Sequence, residues 1–241
     1  MSNGSAMEKV EEINLQEIIK KPKENNVVVP FEHTQEFFVE DLGEIKKKPF
    51  YSFVKRTFDF FASLIGLIVL LPFMIIVAII IKCTSKGPVF YIQERLGYKG
   101  KRIKIPKFRS MEVDAEKNGA QWSQGDNDDR ITKFGKFLRK TRIDELPQLW
   151  SCVIGQLSLI GPRPERECFY EEFEKYVHGF SERLKIKPGI TGWAQVNGGY
   201  ELKPEEKIIY DVEYIKKRSI WFDIKIIFKT IAVVFNHKGA K

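Results

Sequence analysis

The dominant hydrophobic feature of the chain is residues 60–81, a run without a charged side chain that has Pro72 near its middle. A continuous helix of this length, rising about 1.5 Å per residue, just crosses a hydrocarbon core of roughly 30 Å. Proline removes a backbone donor and clashes with the preceding turn, so Pro72 predicts a kinked or broken helix. The pattern therefore predicts that the chain is held at a membrane.

The residues that flank this segment do not decide whether it crosses the membrane or re-enters on the same side. Lys55 and Arg56 precede the run and Lys82 and Lys86 follow it, although basic residues prefer the cytoplasmic flank of a membrane helix. A re-entrant hairpin at 55–82, with both ends in the cytoplasm, explains the basic flanks and the proline together. A simple crossing avoids leaving backbone groups unpaired in lipid, which costs several kcal/mol. Both interpretations stand on physical grounds.

Shorter periodicities after the membrane segment predict an α+β domain that is mostly helical. Alternation predicts strands at 88–93 and 102–108, joined by a Gly-Tyr-Lys-Gly turn at 97–100. Residues 220–235 are apolar but interrupted by charges, which fits either a helix in the interfacial plane or a buried core helix. Other helices are predicted from the spacing of Ile131, Phe134, Phe137 and Leu138, and at 145–154, 165–177 and 204–218.

Residues 1–50 are expected to form a tail or small appendage, separate from a domain at 51–241. Residues 1–7 resemble a cloning remnant and are left out of the fold prediction. Residues 8–50 are polar, with three prolines and a short helix predicted at 8–20, and their role is left open.

Charge narrows the choice of partners. The formal net charge of +8 fits a nucleic acid, an anionic lipid surface or a phosphate-rich substrate. The membrane segment favours the last two, and neither a zinc-finger pattern nor an aromatic RNA-binding signature is found, so no nucleic acid is expected. Cys83, Cys152 and Cys168 lack metal-ligand spacing and are interpreted as reduced thiols facing the cytosol.

Residues 143–149 (Ile-Asp-Glu-Leu-Pro-Gln-Leu) carry the first candidate chemistry. An aspartate at the N-cap and a proline in the first turn are typical of a helix start, so Asp144 is a simple helix cap in one interpretation. The same position suits a nucleophile, because the positive end of a helix keeps a carboxylate ionised near neutral pH. Glu145 beside it permits a division of labour, in which one carboxylate attacks phosphorus and the other binds a divalent cation.

Basic residues near this pair favour a catalytic role for Asp144 over that of a simple helix cap. Arg139 and Arg142 precede the pair, Lys107 and Arg109 lie in Lys-Phe-Arg-Ser-Met, and Arg163 follows in Gly-Pro-Arg-Pro. Each of them alone is typical of a solvated surface charge. If they converge on the carboxylates they form a diphosphate site, since phosphoryl transfer depends mainly on positioning and charge neutralisation.

Residues 188–199 form a second dense segment, with four glycines, Trp193, Gln195 and Asn197. Glycines permit close approach of a backbone, an indole offers an apolar face, and amides can read a base or sugar edge. A rigid turn that packs against the core explains the same composition. The glycine spacing is not a dinucleotide fingerprint, because no strand–helix unit with a following acidic residue frames it.

Five motifs together resemble those of the bacterial sugar transferases, the monotopic polyprenyl-phosphate phosphoglycosyl transferases. The similarity runs from residue 55 to about residue 235, and the order and spacing of the motifs make it specific. Gly199 departs from the family, because many members carry arginine there, and the departure concerns recognition of the sugar. The motifs are Lys-Arg-Thr-Phe-Asp at 55–59, Lys-Phe-Arg-Ser-Met at 107–111, Asp-Glu-Leu-Pro-Gln at 144–148, Leu-Ile-Gly-Pro-Arg-Pro at 159–164 and Lys-Pro-Gly-Ile-Thr-Gly-Trp-Ala-Gln-Val-Asn-Gly at 187–198.

The resemblance implies a reaction at the cytoplasmic face of the bacterial plasma membrane. A hexose-1-phosphate passes from a UDP-sugar to undecaprenyl phosphate, with Mg2+ as cofactor and UMP as the other product, at the start of surface polysaccharide assembly. The implied fold is a re-entrant membrane helix broken at Leu71-Pro72, plus a small cytosolic domain with short strands and interfacial amphipathic helices.

The resemblance also implies roles for individual residues. Asp144 matches the catalytic nucleophile and Glu145 its magnesium-associated catalytic partner, so both are the expected Mg2+ ligands. With the residues singled out above, the expected substrate-binding set is Lys55, Arg56, Lys107, Arg109, Arg139, Arg163, Lys187, Thr191, Trp193, Gln195 and Asn197.

Two alternatives stay open at the level of sequence. In one, the lipid phosphate attacks the nucleotide sugar directly and Asp144 only assists. In the other, the chain is a catalytically silent membrane tether that binds nucleotide sugars or organises an assembly complex. Resemblance around Tyr200 to Tyr214 favours glucose or galactose over N-acetylated sugars, and a homodimer is left open.

Overall fold

The computed structural model describes residues 35–116, 128–199 and 202–235. Within them the fold is α+β and mostly helical, with one long apolar helix and a small domain that contains short strands. The segment at 1–7, the helix predicted at 8–20 and most of residues 119–129, whose glycine and aspartate content predicts a loop, lie outside the described residues.

Helix α1, Pro49–Thr84, contains the apolar run and is 36 residues long. It is long and apolar enough to cross a membrane, and only 17% of its most apolar window is buried within the protein. The helix continues through Pro72, and no interruption is assigned at Leu71-Pro72. The predicted re-entrant path therefore stays a prediction.

Two strands after α1 form the predicted hairpin. β2, Phe90–Leu96, is antiparallel to β3, Arg102–Phe108, with Phe90 opposite Phe108. The turn between them, Tyr98–Gly100, is a short 3-10 helix. The bounds of β3 are as predicted, whereas β2 begins two residues and ends three residues later than predicted.

Two further strand pairs were not predicted, because strands of two or three residues are too short to show alternation. β1, Phe37–Phe38, pairs in parallel with β5, Val177–His178. β4, Ser158–Ile160, pairs in parallel with β6, Gly189–Thr191. The second pair matters for the site, because β4 leads directly into the Gly-Pro-Arg-Pro segment.

The helices near the carboxylate motif differ in detail from the prediction. α2 is Lys133–Lys140, and the single helix predicted at 145–154 is divided into a 3-10 helix, Ile143–Gln148, and α3, Leu149–Val153. Pro147 lies at the end of the first part and has no N–H for a regular helical hydrogen bond. The carboxylate pair therefore lies on a tight 3-10 turn instead of an α-helix.

The helices after β4 complete the domain. The one predicted at 165–177 is shorter than expected, at α4, Glu167–Phe173, because the chain then enters β5. A 3-10 helix, Phe180–Lys185, leads toward β6 and the short α5, Trp193–Asn197. α6, Pro204–Lys217, and α7, Ile220–Phe235, agree with the segments predicted for them.

Both halves of α1 pack against this domain. In the first half, Asp59 Oδ1 accepts a hydrogen bond of 3.0 Å from the Leu159 N–H, just inside β4. In the second half, Val77 and Ile81 are buried in a cluster with Leu138 of α2. The 3-10 helix Ile143–Gln148, which carries the predicted carboxylate pair, contacts both β3 and α1.

Candidate active site

The carboxylate pair lies in the first turn of the 3-10 helix Ile143–Gln148, which packs along β3. Asp144 and Glu145 are both buried. The predicted N-cap role of Asp144 is wrong, because Arg142 occupies the cap position and no side chain caps this helix end. Arg142 has a left-handed backbone with φ of 57°, a conformation that is uncommon outside glycine and concentrated at functional sites.

Glu145 is held by two cations. Arg163 donates to both carboxylate oxygens, Nη2 to Oε1 and Nη1 to Oε2, and Lys107 Nζ lies 3.7 Å from Oε1. Burial alone would raise the pKa of Glu145, but the charges of Arg163 and Lys107 outweigh burial and hold that pKa well below its ordinary value. Glu145 is therefore anionic at neutral pH and pairs with the Arg163 guanidinium.

Asp144 lies in a different electrostatic environment. Burial, and then the charge of Glu145, raise its pKa to about 6, against the opposing effect of Lys107, Arg139 and Arg163. The shift is opposite to the one expected from a helix end, yet the carboxyl is still mostly ionised at neutral pH. Two adjacent carboxyls with divergent pKa values are typical of a division of roles.

Lys107 contributes a cation whose charge changes near neutral pH. Burial, and then the charge of Arg95, lower its pKa to about 8, so most of it is protonated at neutral pH. Arg139, in the last turn of α2, acts electrostatically on Asp144. Of the predicted substrate ligands, the structure therefore brings Lys107, Arg139 and Arg163 to the carboxylate pair.

Lys55 and Arg56, the predicted basic pair, anchor α1 to neighbouring helices. Lys55 Nζ forms an ion pair of 2.9 Å with Asp223 of α7. Arg56 donates at 2.6 and 2.7 Å to two successive carbonyls at the C-terminal end of α3. Burial, and then the charge of Arg56, lower the pKa of Lys187, which places Lys187 beside this pair. A role for the three in substrate binding stays a prediction.

Arg109 is directed toward the C-terminal end of α1. Its Nη2 donates to the Ser85 carbonyl at 2.9 Å and to the Ser85 hydroxyl at 2.6 Å. The side chain is buried, and these hydrogen bonds connect it to α1 instead of to the carboxylate pair. Its role as a substrate ligand also stays a prediction.

The glycine-rich segment directs its polar side chains to protein partners. These contacts tie β6 and α5 to α6 and α7, as expected from the rigid-turn interpretation, and substrate binding by the segment stays a prediction. Thr191 Oγ1 lies 2.8 Å from Thr230 Oγ1, Trp193 Nε1 donates to Glu213 at 2.7 Å, Gln195 Nε2 donates to the Ile190 carbonyl at 2.7 Å, and Asn197 donates to the Trp193 carbonyl at 2.7 Å and accepts from Lys229 at 2.9 Å.

A group of buried charges behind Arg163 was missed by sequence reasoning. Glu165 Oε1 lies 3.1 Å from Lys207 Nζ, and Arg183 Nη2 lies 2.7 Å from Asp211 Oδ2. The sequence held one signal, because Lys207 and Asp211 are four residues apart on the buried face of α6. Charges placed regularly on an apolar helix face require partners in the core.

The carboxylate pair fits Mg2+ only as part of a larger donor set. Within the residues that the structure describes, no group of three or more His, Cys, Asp or Glu side chains is placed to hold a metal. Mg2+ commonly takes one or two protein carboxylates, together with substrate phosphate oxygens and water. Asp144 and Glu145 meet that requirement, since a carboxylate that accepts from arginine still has lone pairs to offer.

Comparison with known proteins gives matches over most of the chain. The model of the bacterial sugar transferase family matches residues 50–237. A UDP-N-acetylgalactosamine-undecaprenyl-phosphate N-acetylgalactosaminephosphotransferase from Aeromonas hydrophila is 42% identical over 203 residues, which cover 83% of this chain and 48% of that protein. A UDP-glucose:undecaprenyl-phosphate glucose-1-phosphate transferase from Escherichia coli (strain K12) is 42% identical, over 78% of this chain and 41% of that protein.

A shorter relative is covered more completely. A putative undecaprenyl-phosphate N-acetylgalactosaminyl 1-phosphate transferase from Bacillus subtilis (strain 168) is 45% identical over 63% of this chain and 86% of its own length. The chain spans less than half the length of the Aeromonas and Escherichia proteins. The family match covers most of the sequence and includes the carboxylate pair with its cations, and the chain belongs to the bacterial sugar transferase family.

Proposed function

We propose that this chain is a phosphoglycosyl transferase that moves a hexose-1-phosphate from a UDP-sugar to undecaprenyl phosphate and releases UMP. The observation that carries the proposal is the asymmetry of the carboxylate pair, in which Glu145 is neutralised by Arg163 while Asp144 has a raised pKa. Family membership supports the class of reaction, since the relatives above are named as undecaprenyl-phosphate sugar phosphotransferases.

In the first half-reaction, a carboxylate oxygen of Asp144 attacks the phosphorus nearest the sugar. The bond from this phosphorus to the bridging oxygen breaks, UMP leaves with that oxygen, and an aspartyl-phosphosugar remains. Lys107 and Arg163 neutralise the charge that develops on the phosphoryl oxygens, which is the main contribution a protein makes to such a transfer. Glu145 keeps Arg163 in place for this task.

In the second half-reaction, an oxygen of the lipid phosphate attacks the phosphorus of the aspartyl-phosphosugar. The bond between phosphorus and the Asp144 oxygen breaks, and the carboxylate is restored for the next cycle. Because UMP leaves before the lipid reacts, the scheme requires ping-pong kinetics.

Mg2+ is the proposed cofactor, with Asp144 and Glu145 as its protein ligands. When bound, it supplies neutralisation of the diphosphate charge. The charge of Asp144 adds to that of the diphosphate, because Arg163 neutralises Glu145. Chelation of divalent cations is therefore expected to stop UMP release, and addition of Mg2+ is expected to restore it.

The contacts of α1 support a re-entrant path. The first half of the helix contacts the domain through Asp59, and the second half contacts it through Val77 and Ile81. A helix that crosses the bilayer has its two ends on opposite sides. One small domain that contacts both halves therefore favours a helix whose ends lie on the same side, and the basic residues that flank the helix favour the cytoplasmic side.

Exposed apolar side chains on helices next to α1 support an interfacial position for the domain. Trp221 and Phe228 of α7 are 80% and 68% exposed, and Trp150 of α3 is 55% exposed. Exposed apolar residues of this size, rimmed by basic residues, are typical of helices in the interfacial plane. We therefore place α7 in that plane, one of the two alternatives predicted from its sequence.

The experiment that tests this function measures UMP release in detergent with undecaprenyl phosphate and Mg2+. UDP-glucose and UDP-galactose are the expected substrates, and UDP-N-acetylgalactosamine is included because the Aeromonas relative is named for that sugar. Asp41→Asn, at an exposed carboxylate, is the matched control for Asp144→Asn. Wild-type protein that binds UDP-sugars but releases no UMP from any of them would support the membrane-tether alternative.

A second experiment separates the covalent scheme from direct attack by the lipid phosphate. Labelled UMP is incubated with UDP-sugar, Mg2+ and protein in the absence of lipid. The covalent scheme requires label to enter the UDP-sugar, because the first half-reaction is reversible without the second. Direct attack predicts no exchange until lipid is added.

A further inference from the structure

The segment that carries Arg163 is held along its whole backbone. Four successive carbonyls, at residues 162–165, each accept a hydrogen bond, and the donors belong to three elements: β6, the 3-10 helix Phe180–Lys185 and β2. Two of the donors are main-chain N–H groups and two are arginine side chains. Pro162 O accepts from the Gly189 N–H at 2.9 Å, Arg163 O from Arg183 Nη2 at 2.8 Å, Pro164 O from Arg95 Nη1, and Glu165 O from the Leu96 N–H at 2.9 Å.

Arg183 occupies an unusual place among these donors. It is 1% exposed, and its guanidinium lies 4.8 Å from the centre of the Phe180 ring. Its Nη2 also lies 2.7 Å from Asp211 Oδ2 on α6, a carboxylate that is 1% exposed. One nitrogen thus joins an ion pair in the core to the main chain of the residue that binds Glu145.

Glu165, two residues after Arg163, is also held by buried cations. Glu165 Oε1 lies 3.1 Å from Lys207 Nζ, and Glu165 Oε2 lies 3.7 Å from Arg95 Nη1. Lys207 precedes Asp211 by one helical turn on α6, so the side chain of Glu165 and the carbonyl of Arg163 are both tied to one helix. The main chain at Arg163 is therefore held by these contacts, while its guanidinium donates to Glu145.

Stability alone does not account for these buried charges. A buried ion pair can often be replaced by apolar side chains of similar volume with no loss of stability, because desolvation of the two charges offsets their attraction. What an apolar pair does not supply is a donor for the Arg163 carbonyl. Catalytic geometry is sensitive to such a loss, since a displacement of about 1 Å reduces rates by up to about a hundredfold.

We infer that Arg183, paired with Asp211, is a positioning residue that sets the place of Arg163 in the phosphoryl-transfer site. The inference rests on the proposed function. Arg183 touches neither carboxylate of the pair through its described contacts, so its effect on turnover passes through Arg163. The paired substitution Arg183→Met with Asp211→Leu removes both charges and the donor while keeping similar volume.

The test is a cycle of variants. The paired substitution is made in the wild type and in an Arg163→Lys background, which keeps a cation but lacks the guanidinium that Arg183 positions. UMP release and the affinity for UDP are both measured, and the second readout needs no turnover. In the wild type we expect the paired substitution to lower kcat about ten- to hundredfold, with the melting temperature nearly unchanged. In the Arg163→Lys background we expect a further change of less than about twofold.

Two controls complete the design. Lys216→Met with Glu40→Leu removes an exposed ion pair and is expected to leave kcat within about twofold of wild type. If the first pair lowers the melting temperature by more than about 5 °C, Arg183→Gln with Asp211→Asn replaces it. This second pair keeps a polar contact, while the shorter Gln side chain ends before the Arg163 carbonyl.

The outcomes are distinct. An equal loss of turnover and UDP affinity in both backgrounds, or no loss in the wild type, overturns the inference while leaving the proposed function intact. Absence of UMP release from the unmodified protein overturns the proposed function instead. A loss confined to the background that contains Arg163 supports the positioning role.

Discussion

The two motif-rich segments of the chain, 143–149 and 188–199, use their polar side chains differently. In the first, Glu145 is bound by Arg163 and Lys107, and Asp144 is left as a buried carboxyl with a raised pKa. In the second, the polar side chains bond to residues of neighbouring helices and to the local main chain. Both segments are rich in residues of the family motifs. The number of motif residues in a segment therefore does not by itself locate the reactive groups.

Reactive and structural polar groups in this fold differ in how completely the protein itself satisfies them. A polar group whose partners are all within the protein contributes to rigidity, whereas a charged group held only partly neutralised is available to a ligand. Asp144, in the segment 143–149, is such a partly neutralised group.

Asp144→Asn is expected to lower UMP release by at least about a thousandfold, because the amide cannot form the acyl phosphate. Folding is expected to be intact, since Asn has nearly the same shape and removes the repulsion with Glu145. Circular dichroism and the melting temperature check the fold. Retention of more than a few per cent of the wild-type rate contradicts the nucleophilic role.

Glu145→Gln is expected to reduce turnover about a hundredfold, because Arg163 and Lys107 lose the charge that orders them. It is also expected to destabilise the protein by about 3–5 kcal/mol, the usual effect of removing one partner from a buried ion pair. Chemical denaturation measures the second effect. An unchanged stability with unchanged turnover contradicts the assignment of Glu145 as the fixed anion of the pair.

The pH dependence of kcat/KM is expected to be bell-shaped. Below about pH 6, protonation of Asp144 removes the nucleophile, so the rate falls about tenfold for each further pH unit. Above about pH 8, loss of the Lys107 proton removes a cation that neutralises the phosphoryl oxygens, and the rate falls again. Lys107→Arg is expected to abolish the alkaline fall only. An alkaline limb that is unchanged in this variant contradicts the assignment.

Asn197→Ala provides the contrasting case in the glycine-rich segment. It removes hydrogen bonds to the Trp193 carbonyl and from Lys229, so we expect a loss of about 1–2 kcal/mol in the free energy of unfolding. Turnover is expected to change less than about threefold. A tenfold rise in KM for the UDP-sugar at unchanged stability would instead support the predicted role of Asn197 in substrate binding.

The large elements of the fold were predictable from the sequence because their periodicity is long. The apolar run of α1, the strand Arg102–Phe108 and the helices α6 and α7 all extend over several repeats of their pattern. The strands at β1, β4, β5 and β6 were missed, since each forms only where a distant segment is available to pair with it.

The identity of the site residues could be predicted from the sequence, but their conformation and pKa values could not. Asp144, Glu145, Lys107 and Arg163 were singled out by residue type and resemblance, and they lie together. The 3-10 conformation and the raised pKa of Asp144 depend on burial and on neighbours distant in sequence, which no local pattern reports. The support for Arg163 from Arg183 was missed for the same reason.

The most direct test of the covalent scheme is to trap the sugar phosphate on the protein. UDP-sugar labelled in the phosphate nearest the sugar is mixed with protein and Mg2+ without lipid, the reaction is quenched within milliseconds to seconds, and peptides are examined by mass spectrometry. We expect a hexose-phosphate adduct on the peptide that contains Asp144, absent from Asp144→Asn and discharged by undecaprenyl phosphate. An active enzyme that never carries the label, or carries it on another side chain, would contradict the covalent scheme.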